Sequence, residues 1–199
     1  MRIGVFGGTF DPPHHGHLIV AGDVHAALGL TRLLFVPAAV PPHKQRTVRA
    51  SAGVRLEMVR AAIRGDDRFE VEDLELRRPG PSYTVDTLRV LRERFPGAEI
   101  FFLIGADNVP EIPSWREPEE ILRLARLVAV PRGCEEAEVQ ASFPVLAVPV
   151  TRIGISATEI RRRVGAGECI RYLVPDAVRE IISREGLYRD PIHSGKDPC

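Results

Sequence analysis

Lysine is scarce: among 27 basic residues in this 199-residue chain, Lys44 and Lys196 are the only lysines. Charge of one sign is lacking too, because 27 acidic residues cancel the basic ones. A protein that holds nucleic acid by neutralising phosphates carries a basic surplus, so no nucleic-acid partner is expected. No apolar run approaches the roughly 20 residues of a membrane span. The first residues show no charged-then-apolar leader pattern. No membrane association is therefore expected, and the cytoplasm is the expected location. Cys134, Cys169 and Cys199 are odd in number, far apart and without metal-ligand spacing, so they read as reduced thiols. No Ser–His–Asp or Cys–His nucleophile pattern occurs, and no Walker-type phosphate loop. What these absences leave is electrostatic positioning of phosphates, without a covalent intermediate.

What is present starts at Gly7. The run Arg2 to Phe6 is apolar and short enough for one buried strand, and Gly7-Gly8-Thr9-Phe10-Asp11-Pro12-Pro13-His14-His15-Gly16-His17 follows it directly. From Gly16 a helical pattern runs through Leu18, Ile19, Ala21, Gly22 and His25. Glycines at a strand end let backbone N–H groups approach a phosphate, and the next helix start adds open donors and a positive dipole end. His14 and His17 add side-chain donors at the same place. A metal site and simple capping are the rival readings of the histidines. No cysteine lies near, adjacent His14 and His15 point apart, and phosphate binding also explains the glycines.

Apolar runs recur at Ile3–Phe6, Leu33–Pro37, Phe69–Val71, Ile100–Ile104, Leu127–Val130 and Val145–Val150. Between them lie helical faces: Val54, Met58, Val59, Ala62 and Ile63; Val85, Leu88, Leu91 and Phe95; Ile121, Leu122, Ala125 and Leu127. This alternation predicts an α/β fold, a Rossmann-like, doubly wound parallel sheet covered on both faces. Ligands in such sheets sit at the carboxyl ends of the strands. Ser156-Ala157-Thr158-Glu159 reads as a capping box opening a helix that ends near Gly165 and Gly167, and Pro175 to Glu185 as a second helix. The expected organisation is a single domain over 1–189 whose part 155–189 is a small C-terminal helical subdomain. Residues 190–199 read as a flexible tail.

Later loops supply further candidates. Lys44 follows two prolines just after the second strand; lysine and arginine do not substitute freely at a phosphate, and chance retention in a plain surface loop is the alternative reading. Ser82-Tyr83-Thr84 opens a helix; Thr84 is the candidate cap, with its N–H groups open to a substrate carboxylate as the alternative reading. Gly105-Ala106-Asp107 ends the strongest strand, and Asp107 is either a ribose ligand or a helix N-cap. Trp115, the only tryptophan, is a core plug or a flat face for an aromatic ring. Of Arg161, Arg162 and Arg163, only one can face inward, and Arg161 lies closest to the helix start.

Taken in order, these motifs resemble the nucleotidyltransferases with a histidine-x-glycine-histidine signature, which His14-His15-Gly16-His17 matches. Ile155-Ser156-Ala157-Thr158-Glu159-Ile160-Arg161 resembles the second motif of that family. Within it the similarity is greatest to the bacterial nicotinate-nucleotide adenylyltransferases, over Arg2 to about Arg189. The resemblance implies adenylyl transfer from ATP to nicotinate mononucleotide, giving deamido-NAD and pyrophosphate on the way to NAD. It implies magnesium on the ATP phosphates and no metal held by the protein itself. Catalytic roles fall to His14, His17, Lys44 and Arg161. Gly7, Gly8, Thr9, Phe10, Gly105, Asp107, Ile155 and Ser156 would bind nucleotide; Ser82, Tyr83, Thr84 and Trp115 would bind the nicotinate end. The alternatives are a nicotinamide-mononucleotide or pantetheine-phosphate adenylyltransferase, and, outside catalysis, a nucleotide-binding sensor. Balanced charge and scattered apolar positions leave self-association open, a homo-oligomer included.

Overall fold

The structure is a computed structural model and describes residues 1–40, 48–131 and 143–190. The six apolar runs become strands: β1 (Arg2–Gly8), β2 (Arg32–Pro37), β3 (Phe69–Val71), β4 (Glu99–Gly105), β5 (Arg126–Val130) and β6 (Val145–Ala147). All pair in parallel, in the order β3-β2-β1-β4-β5-β6. The chain winds outward from β1 to one edge, returns to β4 beside it, and winds to the other edge. The order therefore reverses between β1 and β4, and the crevice at their carboxyl ends is where such sheets bind nucleotides.

Alternate residues of each strand serve opposite faces, and both are buried. On one face Ile3, Val5, Leu34, Val36, Ile100 and Phe102 pack against α4 (Thr84–Arg94) and α5 (Pro118–Leu124). On the other, Phe6, Leu33, Phe35, Phe101, Leu103 and Val128 meet α1 (His15–Leu28) and α2 (Ala52–Ala62). Helix α1 ends where Gly29 takes a left-handed φ of 55°, and the Gly29 and Leu30 N–H groups turn back onto Ala26 and His25 carbonyls. A short α3 (Leu74–Arg77) precedes α4. The last two helices, α6 (Ala157–Gly165) and α7 (Asp176–Arg184), share a third apolar cluster with α2, built on Met58, Ile160, Val164, Val178 and Ile182.

Four expectations need correction. The last strand stops at Ala147, not Val150, and is mostly exposed, as befits a sheet edge. Leu127 fitted both a helical face and a strand; it lies in β5, because α5 ends at Leu124 and Ala125 is already extended. Ser156 does cap α6, accepting from the Glu159 N–H at 3.2 Å, yet the Glu159 carboxylate turns to Arg162 and Arg163. Two guanidinium partners outcompete one backbone N–H. Finally, Cys169 is disulfide-bonded, not a reduced thiol. Sequence separation is no guide to the roughly 4.4–6.8 Å Cα spacing that a disulfide requires.

Candidate active site

Strand β1 delivers its carboxyl end to the switch point, and the turn that follows is held open by aromatic packing. Phe10 is buried with a left-handed φ of 49°, an unusual conformation for a large side chain. Its ring edge meets Phe6 at 5.7 Å and His17 at 5.1 Å, contacts that over-determine the backbone. His14 then precedes α1 in an extended conformation, and its N–H donates to His17 Nδ1 at 3.2 Å. The two imidazoles stack, with centroids 3.7 Å apart. Gly16 is needed for close approach: a Cβ there would come within 3.0 Å of the His14 ring and 3.6 Å of the Ile155 carbonyl. The first motif and the Ile155-Ser156 segment are thus in contact across the crevice.

Arg161 also arrives there. Its guanidinium donates to the Asp11 carbonyl at 2.7 Å and to Thr158 Oγ1 at 3.3 Å. Arg162 and Arg163 pair instead with Glu159, and Arg162 also with Glu168. One arginine of the three faces the histidine turn, as helical geometry demands.

Two buried charged residues that drew no attention in the sequence organise this end. Asp11 is 3% exposed; its carboxylate accepts from the Arg49 N–H at 2.7 Å, the Ala50 N–H at 3.2 Å and the Tyr188 hydroxyl at 2.6 Å. Arg55 is 1% exposed and donates to three carbonyls, those of Thr9 (2.8 Å), Ala39 (3.1 Å) and Ala50 (3.3 Å). Burial pulls the Arg55 guanidinium below its ordinary pKa, and Asp11, Tyr188 and Glu75 push it back. Burial, reinforced by the Asp11 carboxylate, holds the Tyr188 phenol well above its ordinary value, so it stays a donor at neutral pH. A signal for Arg55 existed: it lies four residues before Val59, within the apolar face of α2. Nothing in the sequence pointed to Tyr188.

A cavity of about 560 Å³ opens from this turn to the other side of the crevice. Gly7, Gly8 and Thr9 line one end; Ser82, Tyr83, Thr84 and Trp115 line the other. Thr84 is the first residue of α4, not its cap: Tyr83 precedes the helix and no side chain caps it. The N-terminal donors of α4 therefore remain for a ligand. The Ser82 hydroxyl is used otherwise, accepting from the Ala39 and Val40 N–H groups at 3.0 and 3.3 Å. Trp115 stands edge-on to Phe102 at 6.5 Å, and its indole N–H is buried without a partner among the described residues. Gly105 ends β4 and precedes a 3₁₀ helix (Ala106–Ser114), so Asp107, exposed in its first turn, is not the N-cap. Lys44 lies outside the described residues. Among the described residues no group of three or more His, Cys, Asp or Glu forms a potential metal site.

Comparison with known proteins agrees with this geometry. The cytidylyltransferase-like family matches residues 5–163. A probable nicotinate-nucleotide adenylyltransferase of Thermus thermophilus is 51% identical over 189 residues, covering 95% of this chain and all of that protein. One from Rubrobacter xylanophilus is 48% identical over 198 residues, covering 95% of this chain and 92% of that one. Among solved structures, Plasmodium falciparum nicotinic acid mononucleotide adenylyltransferase complexed with NaAD superimposes with a TM-score of 0.77 at 21% identity. That match covers 94% of this chain and 97% of the other, and it bears on the fold alone. A turn with two stacked histidines, the 3-2-1-4-5-6 sheet beneath it and relatives of this identity lead to one conclusion: the chain belongs to the cytidylyltransferase-like family, among its nicotinate-nucleotide adenylyltransferases.

Proposed function

We propose that this chain transfers the adenylyl group of ATP to nicotinate mononucleotide, forming deamido-NAD and pyrophosphate, within a single nucleotidyltransferase domain over 1–189. The observation that carries the reading is the cavity itself. It runs from Gly7-Gly8-Thr9, the turn that leads on to His14 and His17, to the uncapped start of α4 beside a tryptophan. The first end suits phosphates; the second suits a flat ring bearing a carboxylate.

The reaction needs little from the protein beyond placement. An oxygen of the mononucleotide 5′-phosphate attacks the α-phosphorus of ATP; that P–O bond forms as the bond to the bridging α–β oxygen breaks, and pyrophosphate leaves. The attacking oxygen is already anionic, so no general base is required. His14, His17 and Arg161, with Lys44, hold the polyanions in line and stabilise charge on the transferring and leaving groups. Gly7, Gly8, Thr9 and Phe10 offer main-chain contacts to nucleotide, with Gly105, Ile155 and Ser156 bordering it and Asp107 on the ribose. Tyr83 and Thr84 present the α4 donors to the nicotinate carboxylate, and Trp115 packs by the ring. Magnesium would arrive with ATP as part of the substrate and would offset the negative charge of its phosphates. The proposed location is the cytoplasm; no helix among the described residues is long and apolar enough to cross a membrane.

Pyrophosphate release with ATP and magnesium tests the reading, with nicotinate mononucleotide, nicotinamide mononucleotide and phosphopantetheine compared side by side. A strong preference for nicotinate mononucleotide is expected. Preference for another acceptor would keep the phosphate end and discard the α4 pocket. ATP binding without turnover of any of the three would make the chain a nucleotide sensor.

A further inference from the structure

Behind the acceptor end of the cavity sits a buried acid that the reaction does not use. Glu75, in α3, is 7% exposed and lines the cavity. Its Oε1 accepts from the Thr87 hydroxyl at 2.6 Å, and the Ser82 hydroxyl is near enough to lower the pKa of the same carboxyl. The Ser82 oxygen meanwhile receives the Ala39 and Val40 N–H groups, so its own proton is what it has left to give. Ser82 and Thr87 flank the start of α4 on either side of Tyr83-Thr84. One carboxylate therefore holds the Thr87 hydroxyl in the first turn of α4 and acts on Ser82 just before it, on either side of the Tyr83-Thr84 segment that lines the cavity. Through Ser82 it also reaches the stretch that follows β2.

We infer that Glu75 is a positioning residue for acceptor specificity: it fixes the N-terminus of α4, through Ser82 and Thr87, at the height where an acceptor carboxylate meets the helix donors. The inference rests on the reading above that the acceptor binds at α4. A fully charged acid at this place would repel an anionic acceptor. Burial raises the Glu75 pKa above its ordinary value, against the lowering effect of the two hydroxyls and of Arg78 and Arg55, which lessens that conflict. Glutamine is the discriminating substitution. It keeps the shape but has one acceptor oxygen, and its NH2 would face a Ser82 oxygen already occupied by two donors.

The test is steady-state kinetics of Glu75→Gln with each substrate varied in turn, plus calorimetric titration with nicotinate mononucleotide. KM for the preferred acceptor is expected to rise about 5- to 20-fold, with kcat and the ATP KM within about 2-fold. Thr87→Val removes the Thr87 bond while leaving Ser82 beside the carboxyl, and should shift the same constant in the same direction by less. Unchanged acceptor KM in both variants, or an equal fall in kcat with every substrate, would overturn the inference and leave Glu75 a plain packing residue. The wild-type choice of acceptor tests the earlier reading separately, because the variant-to-wild-type ratio is taken on whichever acceptor the wild type prefers. Should the wild type bind nicotinate mononucleotide without turnover, the calorimetric ratio still decides the role of Glu75. Absence of any binding to the wild type would overturn both.

Discussion

The histidine turn and the start of α4 are held in opposite ways. At the histidine end the anchors are charged side chains, buried in Asp11 and Arg55 and half-buried in Arg161, and they join segments far apart in sequence: Asp11 to Tyr188, Arg55 to Thr9, Arg161 to Asp11. At the α4 end the anchors are neutral hydroxyls: Thr87 on the buried Glu75, and Ser82 on the Ala39 and Val40 N–H groups. The contrast matches what the proposed reaction would ask of each. Phosphates in a transferring group must be placed to a fraction of an ångström, and a long-range, charge-assisted frame resists displacement. A ring with one carboxylate asks for a pocket of the right height, which a short local segment can provide. Damage to the first end should appear in kcat, and damage to the second in the acceptor KM.

The strongest way to test this division is His17→Ala. By analogy with losing a preorganised donor to a developing charge, turnover should fall about 10²- to 10³-fold with the fold intact. Retention of most activity by a folded variant would remove His17 from the chemistry. Asp11→Asn comes next: the side chain keeps its size but loses the charge that gathers Arg49, Ala50 and Tyr188. A drop in kcat of about 10- to 100-fold is expected, with acceptor KM little changed; a change confined to KM would dissolve the distinction between the ends. Tyr188→Phe deletes one of those three bonds, and kcat should fall about 3- to 10-fold in a thermally stable protein. Smallest of all, Arg162→Ala removes exposed pairs to Glu159 and Glu168 on the outer face of α6. Exposed ion pairs contribute little to stability, so neither kinetic constant should move and melting should barely shift. A large kinetic loss there would show that α6 transmits force to Arg161.

The same contrast explains what could be read from the sequence. Strands were legible because burial on both faces writes continuous apolar runs, and the switch point follows from a sheet of such strands. His14, His17 and Arg161 were legible because glycine turns and helix starts have local signatures. Asp11, Glu75 and Tyr188 were not, since a buried acid looks like a solvated one until its donors arrive from elsewhere. Thr84 was misjudged for a related reason. A threonine near a helix start is usually a cap, but here Tyr83 takes that position and leaves the donors bare.

The hydrogen bond from Tyr188 to Asp11 spans 177 residues, and synthesis runs from the histidine turn towards the tyrosine. The first motif leaves the ribosome long before its partner exists. Until residue 188 is free, the nascent sheet carries a nucleotide turn lacking one of the donors that hold Asp11. Maturation of the site is thereby coupled to synthesis of the segment that follows α7, and the histidine turn waits on a residue made much later.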